Sequence, residues 1–266
     1  MPEQPRFGEY ELEEELGEGA AGVVYRARSA DGRIVALKLL RSALGADEAF
    51  RARFAREARV AHEVHDRHLV RILETGDSDG RPYLVLEYVS GGTLADRLNR
   101  GPLSLDEMLR LVGEVAAGLD ALHRHKLVHR DIKPSNIMIR EDGSAALTDF
   151  GMAKGAAYTV LTRPGQVLGT LDYLAPELVR GAEATPATDI YALGCVAFEC
   201  LAGTPPFADR SLFGVGSAHL EEEPPDPPAP VEVSAALLRA LEKDPTARPP
   251  TATMYAHLLR AAARPR

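Results

Sequence analysis

The chain has 266 residues, 45% of them hydrophobic and 26% charged, with a formal net charge of −8 and two cysteines. That balance excludes wholesale disorder and suits one large domain or two lobes, each with its own apolar interior. The acidic balance speaks against nucleic-acid binding, which needs a basic face. Met1 to Tyr10 is polar without a secretory signal, and no apolar run approaches the roughly 20 residues that span a bilayer.

The first third is a succession of short apolar or alternating runs: Tyr10 to Leu16, Gly22 to Arg28, Ile34 to Leu40, Val70 to Thr75 and Tyr83 to Tyr88. Asp31-Gly32 and Asp79-Gly80 separate neighbouring runs as hairpin turns do. One helical segment, from about Asp47 to His65, interrupts them, so the expectation is a small antiparallel sheet carrying a single helix. Ser90-Gly91-Gly92 breaks the chain, and the remainder reads as mostly helical. Leu105 to His125 has apolar residues at helical spacing, Thr188 to Leu201 is nearly continuously apolar and so buried, and Ser234 to Lys243 and Thr251 to Ala262 are amphipathic. Pro224 to Pro230, with five prolines, is neither helix interior nor central strand and reads as a connector. Cys195 and Cys200 point in different directions on one helix, so two buried thiols of a reducing compartment are expected rather than a disulfide.

Gly17-Glu18-Gly19-Ala20-Ala21-Gly22 follows the first strand, and Gly17, Gly19 and Gly22 let backbone amides approach phosphate oxygens. Alone this is a common glycine-rich turn. A dinucleotide site would lead into a helix, whereas Val23-Val24-Tyr25 continues as a strand, which favours a hairpin lid over phosphates. Lys38 closes the apolar run Val35-Ala36-Leu37, where a lysine usually snorkels to the surface; Glu57 of the following helix is placed to pair with it and orient its ammonium toward phosphates. Flanked by Arg56 and Arg59, Glu57 by itself reads as a solvated helix face.

His129-Arg130-Asp131-Ile132-Lys133-Pro134-Ser135-Asn136, followed by Asp149-Phe150-Gly151, carries the chemistry. Asp131 is a candidate base for a hydroxyl proton, a role worth about 10²–10⁴ in rate. Lys133 is placed to neutralise a transferring phosphoryl group, and Asn136 and Asp149 offer oxygen ligands to Mg²⁺. The plainer alternative is that these side chains only brace their loops. Both segments in this order point to phosphoryl transfer. His62, His65 and His68 lack the partners of a metal site and read as helix-end histidines.

With Ala175-Pro176-Glu177, Asp189 to Gly194 and Arg248, these motifs make the sequence resemble a protein kinase catalytic domain, most similar to the bacterial Hanks-type (eukaryotic-like) serine/threonine kinases, the PknB-like group, over about Tyr10 to Leu259. The resemblance implies an α+β, two-lobed protein-kinase fold: an N-lobe over residues 10–89, with a small antiparallel sheet and one helix, and a larger, mainly helical C-lobe over 90–262. It implies ATP held by Gly17, Gly19, Gly22, Val24, Ala36, Lys38, Glu87 and Val89, with Leu86 as gatekeeper and Mg²⁺ or Mn²⁺ on Asn136 and Asp149. Glu177 is expected to pair with Arg248, and Asp189 to bind the backbone of the catalytic loop.

Asp149 to Glu177 is long for an internal connection, as lids and switches are. The resemblance makes Thr159 and Thr162 autophosphorylation sites whose phosphate pairs with Arg130, and makes Thr170, with Lys133, the mark of a Ser/Thr rather than Tyr acceptor. The expected partners are ATP, protein substrates and a second copy for trans-autophosphorylation, with no nucleic acid and no membrane contact from this segment. The expected location is cytoplasmic, either alone or as the cytosolic domain of a longer membrane-anchored receptor kinase. A pseudokinase is disfavoured by intact Lys38, Asp131, Asn136 and Asp149, and a small-molecule kinase by Ala175-Pro176-Glu177.

Overall fold

The computed structural model describes residues 5–19, 22–41, 48–78, 80–149 and 171–264. The chain forms two compact units, Met1–His65 with Val70–Ser90, and Asp66–Leu69 with Gly91–Arg266.

The first unit holds β1 (Arg6–Phe7), β2 (Tyr10–Glu18), β3 (Gly22–Arg28), β4 (Ile34–Leu40), α1 (Glu48–Glu63), β5 (Ile72–Ser78) and β6 (Arg81–Glu87). The strands form one antiparallel sheet in the order β1-β2-β3-β4-β6-β5. Turn chemistry closes the hairpins. Gly32 takes φ +84° between β3 and β4, and Gly80 takes φ +77° after β5 with its N–H on Asp77 Oδ1 at 2.9 Å. Strand β6 begins earlier than its apolar run suggests, because Arg81 and Pro82 pair with Ser78 and Asp77 of β5; the β4 ladder starts at Tyr83.

Side chains alternate across a strand, and here the alternation separates two roles. Val35, Leu37 and Leu39 point into a core with Tyr10, Ala27 and Val85. Ala36 and Lys38 therefore lie on the opposite face, with Val24 and Arg26 across from them on β3 and Leu84 and Leu86 across on β6. Helix α1 buries Phe50, Phe54, Ala58 and Ala61 along one stripe and packs on β5.

The second unit contains α2 (Leu94–Leu98), α3 (Leu105–Arg124), the hairpin β7 (Ile137–Ile139) and β8 (Ala145–Leu147), α4 (Pro176–Val179), α5 (Pro186–Ala202), α6 (Leu212–Glu221), α7 (Val231–Leu238) and α8 (Ala252–Ala262). Helix α5 is its axis, buried from Thr188 to Leu201 at all but one position. Thr185 caps it, Pro186 occupies its first turn, and Gly203 ends it with φ +81°. Both cysteines on α5 are buried and free. At Gly194 a Cβ would stand 2.8 Å from the Ala240 Cβ, so glycine is what lets the chain after α7 approach. The expected helix over Ser234 to Lys243 sits earlier, at Val231–Leu238, and tightens into a 3₁₀ turn at Arg239–Leu241.

Asp66–Leu69 is built into this second unit. The Leu147 N–H donates to the His68 carbonyl at 2.8 Å, and His68 Nδ1 bonds the Ala145 carbonyl at 3.0 Å. A Cβ on Gly118 of α3 would stand 2.7 Å from that same His68 oxygen. Among the described residues no helix is long and apolar enough to cross a membrane.

Candidate active site

The loop between α3 and β7 presents Asp131, Lys133 and Asn136 together. The Asn136 amide donates from Nδ2 to the Asp131 carbonyl at 2.8 Å and to Asp131 Oδ2 at 2.9 Å. Lys133 Nζ lies 3.2 Å from that same Oδ2. A 3₁₀ turn over Pro134–Asn136 brings the three side chains round, with the Asn136 N–H on the Lys133 carbonyl at 2.9 Å.

Two anchors fix the loop's entry. The Asp189 carboxylate, 1% exposed at the start of α5, accepts the His129 N–H on Oδ2 and the Arg130 N–H on Oδ1, each at 2.8 Å. The buried His129 ring bonds the Thr148 carbonyl through Nε2 at 3.0 Å and accepts the Asp131 N–H on Nδ1 at 3.3 Å. Burial pushes its imidazole below the ordinary histidine range, outweighing the pull of the Asp189 and Asp131 carboxylates, and so keeps it neutral. Among described non-glycine residues only Lys126, Arg130 and Asp149 have positive φ, and two of those three belong to this site, Arg130 at +66° and Asp149 at +64°. Such conformations persist where the surroundings over-determine them.

The β7–β8 hairpin joins the two polar loops. Ile137 pairs with Leu147, and the Thr148 N–H donates to the Asn136 carbonyl at 3.0 Å, so Asp149 follows directly from the residue bonded to Asn136. With Nδ2 committed to Asp131, the Asn136 amide presents Oδ1 on its other side. One amide oxygen and one carboxylate suit a hard divalent cation shared with phosphate oxygens. Among the described residues no cluster of three His, Cys, Asp or Glu forms a self-sufficient metal cage. His62 and His68 instead bond the carbonyls of Ile72 and Ala145, at 2.9 and 3.0 Å, and His65 bonds that of Glu63 at 2.8 Å.

In the first unit, Val24, Ala36 and Lys38 share the sheet face opposite the apolar core, and Lys38 is only 8% exposed. Glu57 is on α1, Glu87 ends β6 with its N–H on the Arg71 carbonyl at 2.9 Å, and Val89 is buried just beyond. Gly19 and Gly22 close the β2–β3 loop with reciprocal bonds of 2.8 and 3.3 Å. Gly22 is needed for packing, since a Cβ there would collide with the Leu39 carbonyl; Gly17 and Gly19 have open space around theirs. Phe150, Gly151, Thr159, Thr162 and Thr170 lie outside the described residues.

Behind the loop, Glu177 accepts two Arg248 bonds of 2.7 and 2.8 Å, and the guanidinium stacks over Tyr191 at 4.8 Å. Sequence reasoning missed a second acidic group in the same unit. The Tyr173 hydroxyl donates to Glu199 at 2.6 Å, and burial holds both the Glu199 and Asp172 carboxyls above their usual range. Glu199 sits inside an apolar helical run, and a carboxylate in such a place was the available signal.

The protein kinase domain family matches residues 10–259. The chain is 41% identical over 249 residues to the serine/threonine-protein kinase drp72 of Corynebacterium efficiens, covering 90% of this chain and 48% of that one. It is 40% identical over 253 residues to the serine/threonine-protein kinase PknE of Mycobacterium tuberculosis, covering 92% of this chain and 44% of that one. The chain thus spans about half the length of the curated relatives it matches. Among solved structures, the PknI kinase domain of M. tuberculosis superposes with a TM-score of 0.78 at 28% identity over 99% of each chain. The chain belongs to the protein kinase domain family and has the protein kinase fold.

Proposed function

We propose that this chain is a serine/threonine protein kinase domain, with a nucleotide-binding lobe over 10–89 and a catalytic, substrate-binding lobe over 90–262. The observation that carries the reading is the Asp131 carboxylate held by Asn136 at 2.9 Å and flanked by Lys133 at 3.2 Å. In that setting Asp131 orients an acceptor hydroxyl and takes its proton. The hydroxyl oxygen forms its bond to the γ-phosphorus as the bond from that phosphorus to the bridging oxygen of ADP breaks. Lys133 offsets the charge spread over the phosphoryl oxygens. Asn136 and Asp149 would hold Mg²⁺ or Mn²⁺, which supplies charge neutralisation between the phosphates. Gly17, Gly19 and Gly22 would cover the phosphates and Lys38, oriented by Glu57, would contact them. Val24 and Ala36 would pack on the adenine, and the Glu87–Val89 backbone would hold its edge.

A serine or threonine acceptor is supported by the relatives named serine/threonine-protein kinase and by the Lys133 and Thr170 pattern. Regulation would come from autophosphorylation of Thr159 and Thr162, in trans between two copies, with Arg130 receiving the phosphate. The kinase would act in the cytoplasm, alone or as the cytosolic part of a longer membrane-anchored receptor. The test is transfer of labelled phosphate from ATP to the chain itself and to a generic basic protein, comparing wild type with Asp131→Asn and Lys38→Met. Wild type should label both acceptors and the variants neither; wild type labelling no better than either variant would end the assignment. Peptide mapping of the labelled chain should find phosphate on Thr159 or Thr162.

A further inference from the structure

A residue of another strand grips the start of the glycine loop. Arg41, which follows β4, donates from Nη2 to Glu18 Oε1 at 2.8 Å and to the Gly19 carbonyl at 3.3 Å. Its Nε reaches that same carbonyl at 3.4 Å, and the carbonyl also takes the Gly22 N–H at 3.3 Å. One guanidinium thus spans a side chain and the backbone where β2 runs into the loop.

Packing puts Arg41 there. Gly22 pairs with Leu40 and, having no Cβ, lies against the Leu39 carbonyl, which brings the end of β4 level with the loop. Arg81 Nε donates to the Leu40 carbonyl at 2.9 Å, so the backbone leading into Arg41 is fastened too. Residues directly opposite one another in a sheet share a face. Glu18 is opposite Val23 and Val23 opposite Leu39, so Glu18 is on the face of Leu39; Gly17 is opposite Val24, on the face of Lys38. The grip therefore comes from the side turned away from Lys38. Glycine has the most backbone freedom to lose on ordering, and packing does not confine Gly17 or Gly19, where a Cβ would meet nothing within 4 Å. Restraint at Gly19 falls to its hydrogen bonds, and Arg41 supplies two of them.

We propose that Arg41 is a positioning residue: it clasps Glu18 and Gly19 from the outer face and holds the glycine loop where it covers the nucleotide phosphates. The effect on nucleotide rests on the kinase reading; the restraint on the loop does not. If Arg41 instead acted only by attracting the anionic nucleotide, removing the Glu18 carboxylate would tighten nucleotide binding. The clasp requires the opposite, because Glu18 is half of what Arg41 holds.

The test compares wild type with Arg41→Ala, Arg41→Lys, Glu18→Ala and the double variant Arg41→Ala/Glu18→Ala. Both side chains are roughly half exposed, so all four variants should fold. Amide hydrogen exchange of the nucleotide-free chain is the first readout: the peptide over residues 17–24 should exchange about threefold faster in Arg41→Ala, with the β4–β6 ladder unchanged. Steady-state kinetics is the second. The KM for ATP should rise about threefold in Arg41→Ala and about twofold in Glu18→Ala, with kcat within about twofold. Arg41→Lys should fall between Arg41→Ala and wild type, since an ammonium replaces the fork by a point contact. The double variant should be no worse than Arg41→Ala, because the two changes remove one shared contact. Unchanged exchange overturns the proposal, as does faster exchange with an unaltered KM. A KM that falls in Glu18→Ala makes the effect one of charge, and multiplying effects in the double variant make the two residues independent; either overturns it too. Absence of any transfer by wild type sinks the kinase reading separately, and the exchange comparison still decides the clasp.

Discussion

Arg248 and Glu177, 71 residues apart in sequence, meet through two parallel hydrogen bonds of 2.7 and 2.8 Å, with the arginine side chain wholly out of solvent. Three backbone carbonyls, of Ala187, Glu242 and Lys243, share the remaining guanidinium donors. Burial alone would raise the Glu177 carboxyl, but the bonds and charge of Arg248 override it and hold it below the usual range. Removing one partner strands the other: Glu177→Ala should cost about 3–5 kcal/mol in urea unfolding, and a paired replacement with Met at both positions should cost less than the single change. A single-variant cost under about 1 kcal/mol would show the pair to be solvated.

His219 should make stability fall with acid. It is buried against Phe207 and bonds the Tyr191 hydroxyl at 2.8 Å; burial, then the nearby Lys243 ammonium, push its imidazole down to about 4 from the usual 6.5. A depressed folded value means that the unfolded chain binds the proton more readily. The stabilising contribution is therefore complete above about 6.5 and drains away as pH falls toward 4, up to about 3 kcal/mol. Urea midpoints of wild type and His219→Gln between these pH values should converge as pH drops; parallel curves would place the proton elsewhere.

The glycine loop should separate folding from binding. Gly22→Ala meets the Leu39 carbonyl and should destabilise by about 1–3 kcal/mol. Gly17→Ala and Gly19→Ala meet nothing within 4 Å, so their thermal midpoints should stay near wild type while the KM for ATP rises. Unchanged KM in both would remove the loop from nucleotide binding.

Asn136→Ala strips Asp131 of a side-chain bond and the candidate metal site of an oxygen. The Mg²⁺ concentration for half-maximal transfer should rise about tenfold or more. A fall in rate with unaltered Mg²⁺ dependence would confine Asn136 to orienting Asp131.

Much of this was legible in residue order. The strands Gly22–Arg28 and Ile34–Leu40 fall where apolar alternation puts them, and the Asp189 and Glu177–Arg248 contacts form as expected. Helix α6 was not legible, because Gly214 and Gly216 break its propensity and packing overrides that. Neither was the β7–β8 hairpin, whose three-residue strands are too short to show a period. The His123–Asp189 bond was invisible for a different reason: it joins residues 66 positions apart, and no local pattern records that.

The stretch Asp66–Leu69 has a practical consequence. Because the second unit borrows four residues from the first third of the sequence, no single cut can liberate it whole. A fragment starting at Gly91 would lack the carbonyl that receives the Leu147 amide and would leave a slot open over Gly118. Excision at the Ser90–Gly91 junction would then give an incomplete fold, whereas a circular permutant that keeps residues 66–69 joined to it would retain the His68 carbonyl that receives the Leu147 amide.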